Sequence, residues 1–86
     1  MKQILLTNQA EKSFKQLPKK NQEKTRKQFE LLLINYRHPS LRARKMSGAN
    51  HFEARINIHH RFTFSLVKEG ILVLTIGPHD EGLGKK

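Results

Sequence analysis

The sequence predicts an α+β domain in which two N-terminal helices pack on a four- to five-stranded antiparallel sheet, in the order β-α-α-β-β-β-β. Three observations predict it. The stretch from His51 to Ile56 alternates apolar Phe52, Ala54 and Ile56 with polar Glu53, Arg55 and Asn57, the period of a half-buried strand. The next stretch repeats this with Phe62, Phe64 and Leu66 against Arg61, Thr63 and Ser65, and Ile71 to Ile76 is almost wholly apolar, as in a strand covered on both faces. Upstream, the apolar spacing changes to that of helices, with Ala10, Phe14 and Leu17 at i, i+4 and i+7.

Taken in order, Lys2 to Leu6 has the apolar content of a first strand. Asn8 is placed to cap the first helix, with Glu11 three residues on as in a capping box. Pro18 ends that helix and suits the first turn of the next. The second helix is expected from about Lys19 to Asn35, with Thr25, Phe29, Leu32, Leu33 and Tyr36 as its inner stripe. Lys20, Lys24, Arg26 and Lys27 line its outside, as a solvated face or one lying on RNA. His38-Pro39-Ser40 stops the helix, because a residue before proline avoids helical dihedrals. Leu41 to Met46 reads as a short, strongly basic strand with Leu41, Ala43 and Met46 as its apolar content, and Ser47 to Asn50 as a turn around Gly48. A three-strand meander follows. A three-residue connection pairing Asn57 with Arg61 and Arg55 with Thr63 keeps apolar opposite apolar, whereas a two-residue loop at Ile58-His59 sets Arg61 against Ile56. Lys68-Glu69-Gly70 marks the second turn, with Gly70 suited to a left-handed backbone. Gly77 and Pro78 end the last strand, and 81–86 is expected to be a loose tail. The pattern brings Arg55, Arg61 and His79 to one end of the sheet.

Eighty-six residues make one small domain, 1–86. There is no cysteine, so neither disulfides nor a thiolate-bound metal can support it, which suits a reducing cytoplasm. The spacing of the five histidines matches no zinc motif, so no metal and no cofactor is expected. No apolar run approaches the roughly 20 residues that span a bilayer. The formal net charge of +10 attracts polyanions, nucleic acid first and an acidic protein second.

Leu17-Pro18 between two helices, His38-Pro39-Ser40-Leu41-Arg42, Phe52-Glu53-Ala54-Arg55-Ile56, His60-Arg61-Phe62 and Gly77-Pro78-His79-Asp80 follow one another in an order and spacing that resembles the RelE/ParE superfamily of small toxins from type II toxin–antitoxin pairs. The resemblance covers nearly the whole chain and implies the same α+β fold. Many members are mRNA interferases that cut mRNA in the ribosomal A site without a metal; the ParE-like branch inhibits DNA gyrase and lacks nuclease residues. An acidic antitoxin that folds on binding is the implied partner, with the ribosome, mRNA and rRNA as targets.

Cleavage of RNA by its own 2′-hydroxyl needs proton transfer, suited to histidine, and a cationic clamp on phosphate, suited to arginine. The resemblance implies that Arg61 binds the scissile phosphate. His79, eighteen positions later, matches the general acid of YoeB-like members, and Arg44 and Lys45 stand where RelE-like members carry catalytic lysines. Arg42, Arg55, His60 and Asp80 are expected to contribute to RNA binding. Asp80 can instead orient His79 or cap the turn. No carboxylate stands near Arg44 in the sequence, where YoeB-like members have a glutamate base. The C-terminal tyrosine of some relatives is also absent, leaving His60, His59 and His51 as candidate substitutes. A non-catalytic gyrase inhibitor and a relative that only pairs with its antitoxin are the alternatives.

Overall fold

The computed structural model describes residues 3–46 and 51–78. In chain order these form β1 (Gln3–Leu6), α1 (Asn8–Gln16), α2 (Lys19–Ile34), a 3-10 turn (Pro39–Leu41), β2 (Arg44–Lys45), β3 (His51–Arg55), β4 (His60–Val67) and β5 (Gly70–Pro78). The five strands make one sheet in the order β1-β5-β4-β3-β2. The α+β class and the element order are those expected. The turn expected at Ser47 to Asn50, the tail at 81–86, His79 and Asp80 lie outside the described residues.

The sheet is mixed rather than wholly antiparallel. Strands β2 to β5 are antiparallel neighbours, but β1 runs parallel to β5, with Gln3 opposite Gly70 and Leu6 opposite Val73. Parallel neighbours need a long connection rather than a hairpin. Here the helices carry the chain from the β1 edge to the β2 edge, and the meander returns beside β1. Gly70 is required at that junction. Its φ is +145°, and a Cβ there would run into the backbone of Gln3.

Thr7, rather than Asn8, caps α1. Its hydroxyl accepts from the Ala10 amide at 3.1 Å and donates to the Leu74 carbonyl at 2.9 Å, while its amide donates to Val73 at 3.1 Å. Leu74 is the extra residue of a β-bulge, since Thr63 faces Thr75 but Phe64 faces Val73. One threonine thus ties the end of β1 and the start of α1 to the bulge in β5. Asn8 is the first helical residue, one position too late to cap.

The core lies between the helices and one face of the sheet. Phe29 of α2 meets Phe62 edge-on at 5.3 Å, Phe52 stacks on Phe64 at 5.3 Å, and Tyr36 closes the row against Phe52 at 5.5 Å. Ala54, Ile71, Val73 and Ile76 are buried with them. On α2, Thr25, Phe29 and Leu32 are buried as expected, but Leu33 is 38% exposed, because it lies about 100° around the helix from Leu32. Gln28 takes the inner position instead. Its side-chain amide donates to the Arg55 carbonyl at 2.7 Å and to the Ser40 carbonyl at 3.3 Å, so a buried polar group is satisfied.

Two local expectations are corrected. The basic strand is only Arg44–Lys45, because Pro39–Leu41 forms a 3-10 turn that buries Leu41. His38 Nδ1 accepts from the Ser40 amide at 3.1 Å, and Arg42 closes the turn in the left-handed region with φ 48°. The β3–β4 connection has four residues, 56–59, rather than the three expected. Arg55 therefore faces Arg61, Ala54 faces Phe62 and Glu53 faces Thr63, two positions out from the expected pairing. The side chain of Asn57 sets this turn, accepting from the His59 and His60 amides at 2.8 and 2.9 Å. Apolar still faces apolar.

Gly70→Ala is expected to cost more than about 1 kcal/mol, and Thr7→Ala about 1 kcal/mol. Urea midpoints at an unchanged m-value would measure both; an unshifted midpoint for Gly70→Ala would contradict the close β1–β5 packing.

Candidate functional site

Strand alternation that sends Phe52, Ala54, Phe62 and Phe64 toward the helices sends Glu53, Arg55, Arg61 and Thr63 to the other face of the sheet. Thr75 and Gly77 of β5 are opposite Thr63 and Arg61, and the two threonine hydroxyls are 2.6 Å apart. Arg44 of β2 is opposite Glu53 and so joins the same face. Three arginines from three adjacent strands meet there around one carboxylate.

Glu53 is 2% exposed. Its Oε1 accepts from Arg44 Nε at 3.1 Å and lies 3.6 Å from a terminal nitrogen of Arg61. Arg61 is mostly buried, with 22% of its side chain exposed, whereas Arg44 is 71% exposed. The Nε of Arg55 is buried and has no hydrogen-bond partner among the described residues. A buried cationic donor without an acceptor is costly, and an anion delivered to this face would supply one. Gly77 opposite Arg61 has no side chain to crowd that approach. A groove of about 400 Å³ runs alongside, lined among others by Met46, His51, Glu53, Arg61, Thr63 and Thr75.

Solved structures share this architecture. The isolated RelE toxin of E. coli matches with a TM-score of 0.74 at 16% identity, over 98% of this chain and 93% of that one. A chain of the archaeal RelE–RelB complex from Pyrococcus horikoshii OT3 matches at 0.72 and 18% identity, over 93% and 97%. The YoeB dimer from Staphylococcus aureus matches at 0.69 and 24% identity, over 91% and 97%. The chain has the RelE fold. No protein-family model and no curated protein sequence matches it.

Within this RelE fold the expected site residues separate. Arg44, Arg55 and Arg61 come together. Lys45 does not join them, because it pairs with Phe52 and therefore falls on the helix-facing side of the β2 edge. His60 likewise shares the side of Phe62, next to Asn57, whose Oδ1 is 3.3 Å from its Nδ1. Arg42 is exposed at the end of the 3-10 turn, before the sheet begins. Of the three substitute histidines only His51 lies on the arginine face, two positions from Glu53, and it lines the groove. His79 and Asp80 are outside the described residues; Pro78, the last described one, faces His60, and Gly77 faces Arg61.

Glu53 corrects the reading that no carboxylate stands near Arg44. It is nine positions away in sequence but directly across the β2–β3 ladder. Its strand parity put it on the polar face in the sequence; only the pairing of β2 with β3 reveals its neighbour. Among the described residues no cluster of three or more His, Cys, Asp or Glu could hold a metal ion, and no helix is long and apolar enough to cross a membrane.

Were single-stranded RNA to bind this face, removing one of its cations would lower the salt dependence of that binding. Arg55→Ala is expected to reduce the slope of log K against log salt by about 0.7, while Lys20→Ala, on the outer face of α2, leaves it unchanged. The reverse pattern in a fluorescence-anisotropy titration would move the RNA to the helix.

Proposed function

We propose that the chain is the toxin of a type II toxin–antitoxin pair and acts as a metal-independent, ribosome-dependent mRNA endonuclease. The observation that supports it is the buried Nε of Arg55, which has no hydrogen-bond partner among the described residues and lies directly across the ladder from Arg61, on the arginine face of a RelE fold. The +10 charge draws mRNA and rRNA to that face, and suits an acidic antitoxin segment that folds as it covers it. Such a toxin would act in the cytoplasm, where ribosomes are.

The chemistry is transfer within the RNA. The 2′-oxygen forms a bond to phosphorus as its proton passes to solvent water, and the bond from phosphorus to the 5′-oxygen breaks as that oxygen takes a proton. The products are a 2′,3′-cyclic phosphate and a 5′-hydroxyl. Arg61 and Arg55 hold the non-bridging oxygens, on which negative charge grows during attack. Arg44 extends the clamp toward the β2 edge. His79 supplies the proton to the departing oxygen, with Asp80 beside it in sequence, and His51 is the described histidine on the groove. Lys45, Arg42 and His60, which lie off this face, are left to contacts with the surrounding rRNA.

Expression from a tight promoter, with mapping of mRNA 5′ ends, tests this. The chain is expected to cut within translated codons, and Arg61→Ala and His79→Ala to reduce cutting by about 100-fold or more. Growth arrest with intact mRNA and inhibited gyrase would replace this reading with a ParE-like one.

A further inference from the structure

The arginine face contains one group that phosphate binding alone does not explain. A carboxylate on this face lowers its attraction for RNA, and burying it is costly unless it is paired. Yet Glu53 is the only carboxylate on the described strands, it is 2% exposed, and it sits in the middle of the cluster. We propose that Glu53 is the positioning residue of the clamp: its Oε1, shared by Arg44 and Arg61, fixes where both guanidinium groups present themselves to phosphate. The proposal rests on the nuclease reading above.

Geometry and charge both support this role. Glu53 stands on β3 between Arg44 on β2 and Arg61 on β4, so a single oxygen spans three strands. Arg44 is held through Nε, which leaves its two terminal nitrogens uncommitted among the described residues. One terminal nitrogen of Arg61 lies 3.6 Å from the same oxygen, so the ion pair orients its planar fork. Three arginines and one glutamate sum to two positive charges. A phosphodiester carries one negative charge, and the five-coordinate phosphorane formed by attack of the 2′-alkoxide carries two. The cluster therefore balances the transition state better than the ground state, which is the condition for accelerating the step rather than only tightening binding. Glu53 is not assigned as the proton acceptor, because its buried oxygen is engaged by two arginines.

Charge and positioning make opposite forecasts for Glu53→Gln. As a charge change it removes a negative group and tightens RNA binding. As a loss of positioning it lowers kcat by about 100-fold, the scale of a 1 Å misplacement, with KM unchanged or lower. We expect the second result, together with faster hydrogen exchange of the Arg44 Nε–H than in the unaltered chain, read in a ¹⁵N NMR spectrum. Glu53→Asp keeps the charge, shortens the reach and serves where Glu53→Gln does not fold; the same fall in kcat is expected. An unchanged kcat in the folded variant would overturn the proposal. So would a fall in kcat with the Arg44 Nε–H still protected, which would make Glu53 a base. If the unaltered chain cuts no RNA, the nuclease reading fails by itself. Inorganic phosphate then still decides the role of Glu53: positioning requires that phosphate move the Arg55 and Arg61 Nε signals, and that Glu53→Gln weaken this about tenfold. Equal or tighter phosphate binding by the variant would overturn it.

Discussion

The pairing of β3 with β4 is the constraint on which the rest depends. Because side chains alternate across a strand, one choice of register decides both what the core contains and what the opposite face displays. Here Phe52 faces Phe64 and Ala54 faces Phe62, and the same ladder sets Arg55 against Arg61 and Glu53 against Thr63. The turn that fixes it is held by the Asn57 side chain, which takes the place of a backbone acceptor for two amides. Placing two arginines opposite each other is unfavourable by itself. The apolar contacts across the ladder hold them there, so the free energy of the core is what assembles the cationic face.

The fold then secures the cluster from both sides. From the core, Gln28 of α2 donates to the Arg55 carbonyl, so the helix layer holds the backbone that carries the Arg55 guanidinium. From the edge, β2 contributes Arg44 through a two-residue pairing, enough to present one side chain to Glu53. The Thr7 network and the bulge at Leu74 fix β5, whose end runs beside Arg61. A site built on sheet positions in this way is more rigid than one built on loops.

The fold class, the helices, the meander and the grouping of Arg55 with Arg61 were legible in the sequence, because each is written as a local period of apolar residues. What was not legible depends on pairings between segments. The direction of β1 follows from which edge the helices deliver the chain to. The role of Glu53 follows from the β2–β3 ladder, and the short β2, preceded by the left-handed Arg42, carries almost no periodic signal. That same ladder separates Lys45 from Arg44, although they are neighbours in the chain. Gln28 was hidden for another reason: a glutamine reads as a surface residue until two backbone carbonyls across the fold are seen to need its donors. The cap shifted by one residue because Thr7 and Asn8 are both good capping residues, and the bond to Leu74 selects between them.

The claim at the centre is that the face displaying Arg44, Arg55 and Arg61 receives RNA phosphate. A crystal structure of the chain with a short RNA whose reactive nucleotide lacks its 2′-hydroxyl tests it most directly, since binding is retained and cleavage is not. The account predicts a phosphate whose oxygens accept from Arg55 Nε and from the Arg61 guanidinium, with the strand continuing along the groove past Thr75 and His51. RNA lying along the lysines of α2, with the Arg55 Nε still lacking an acceptor, would contradict it.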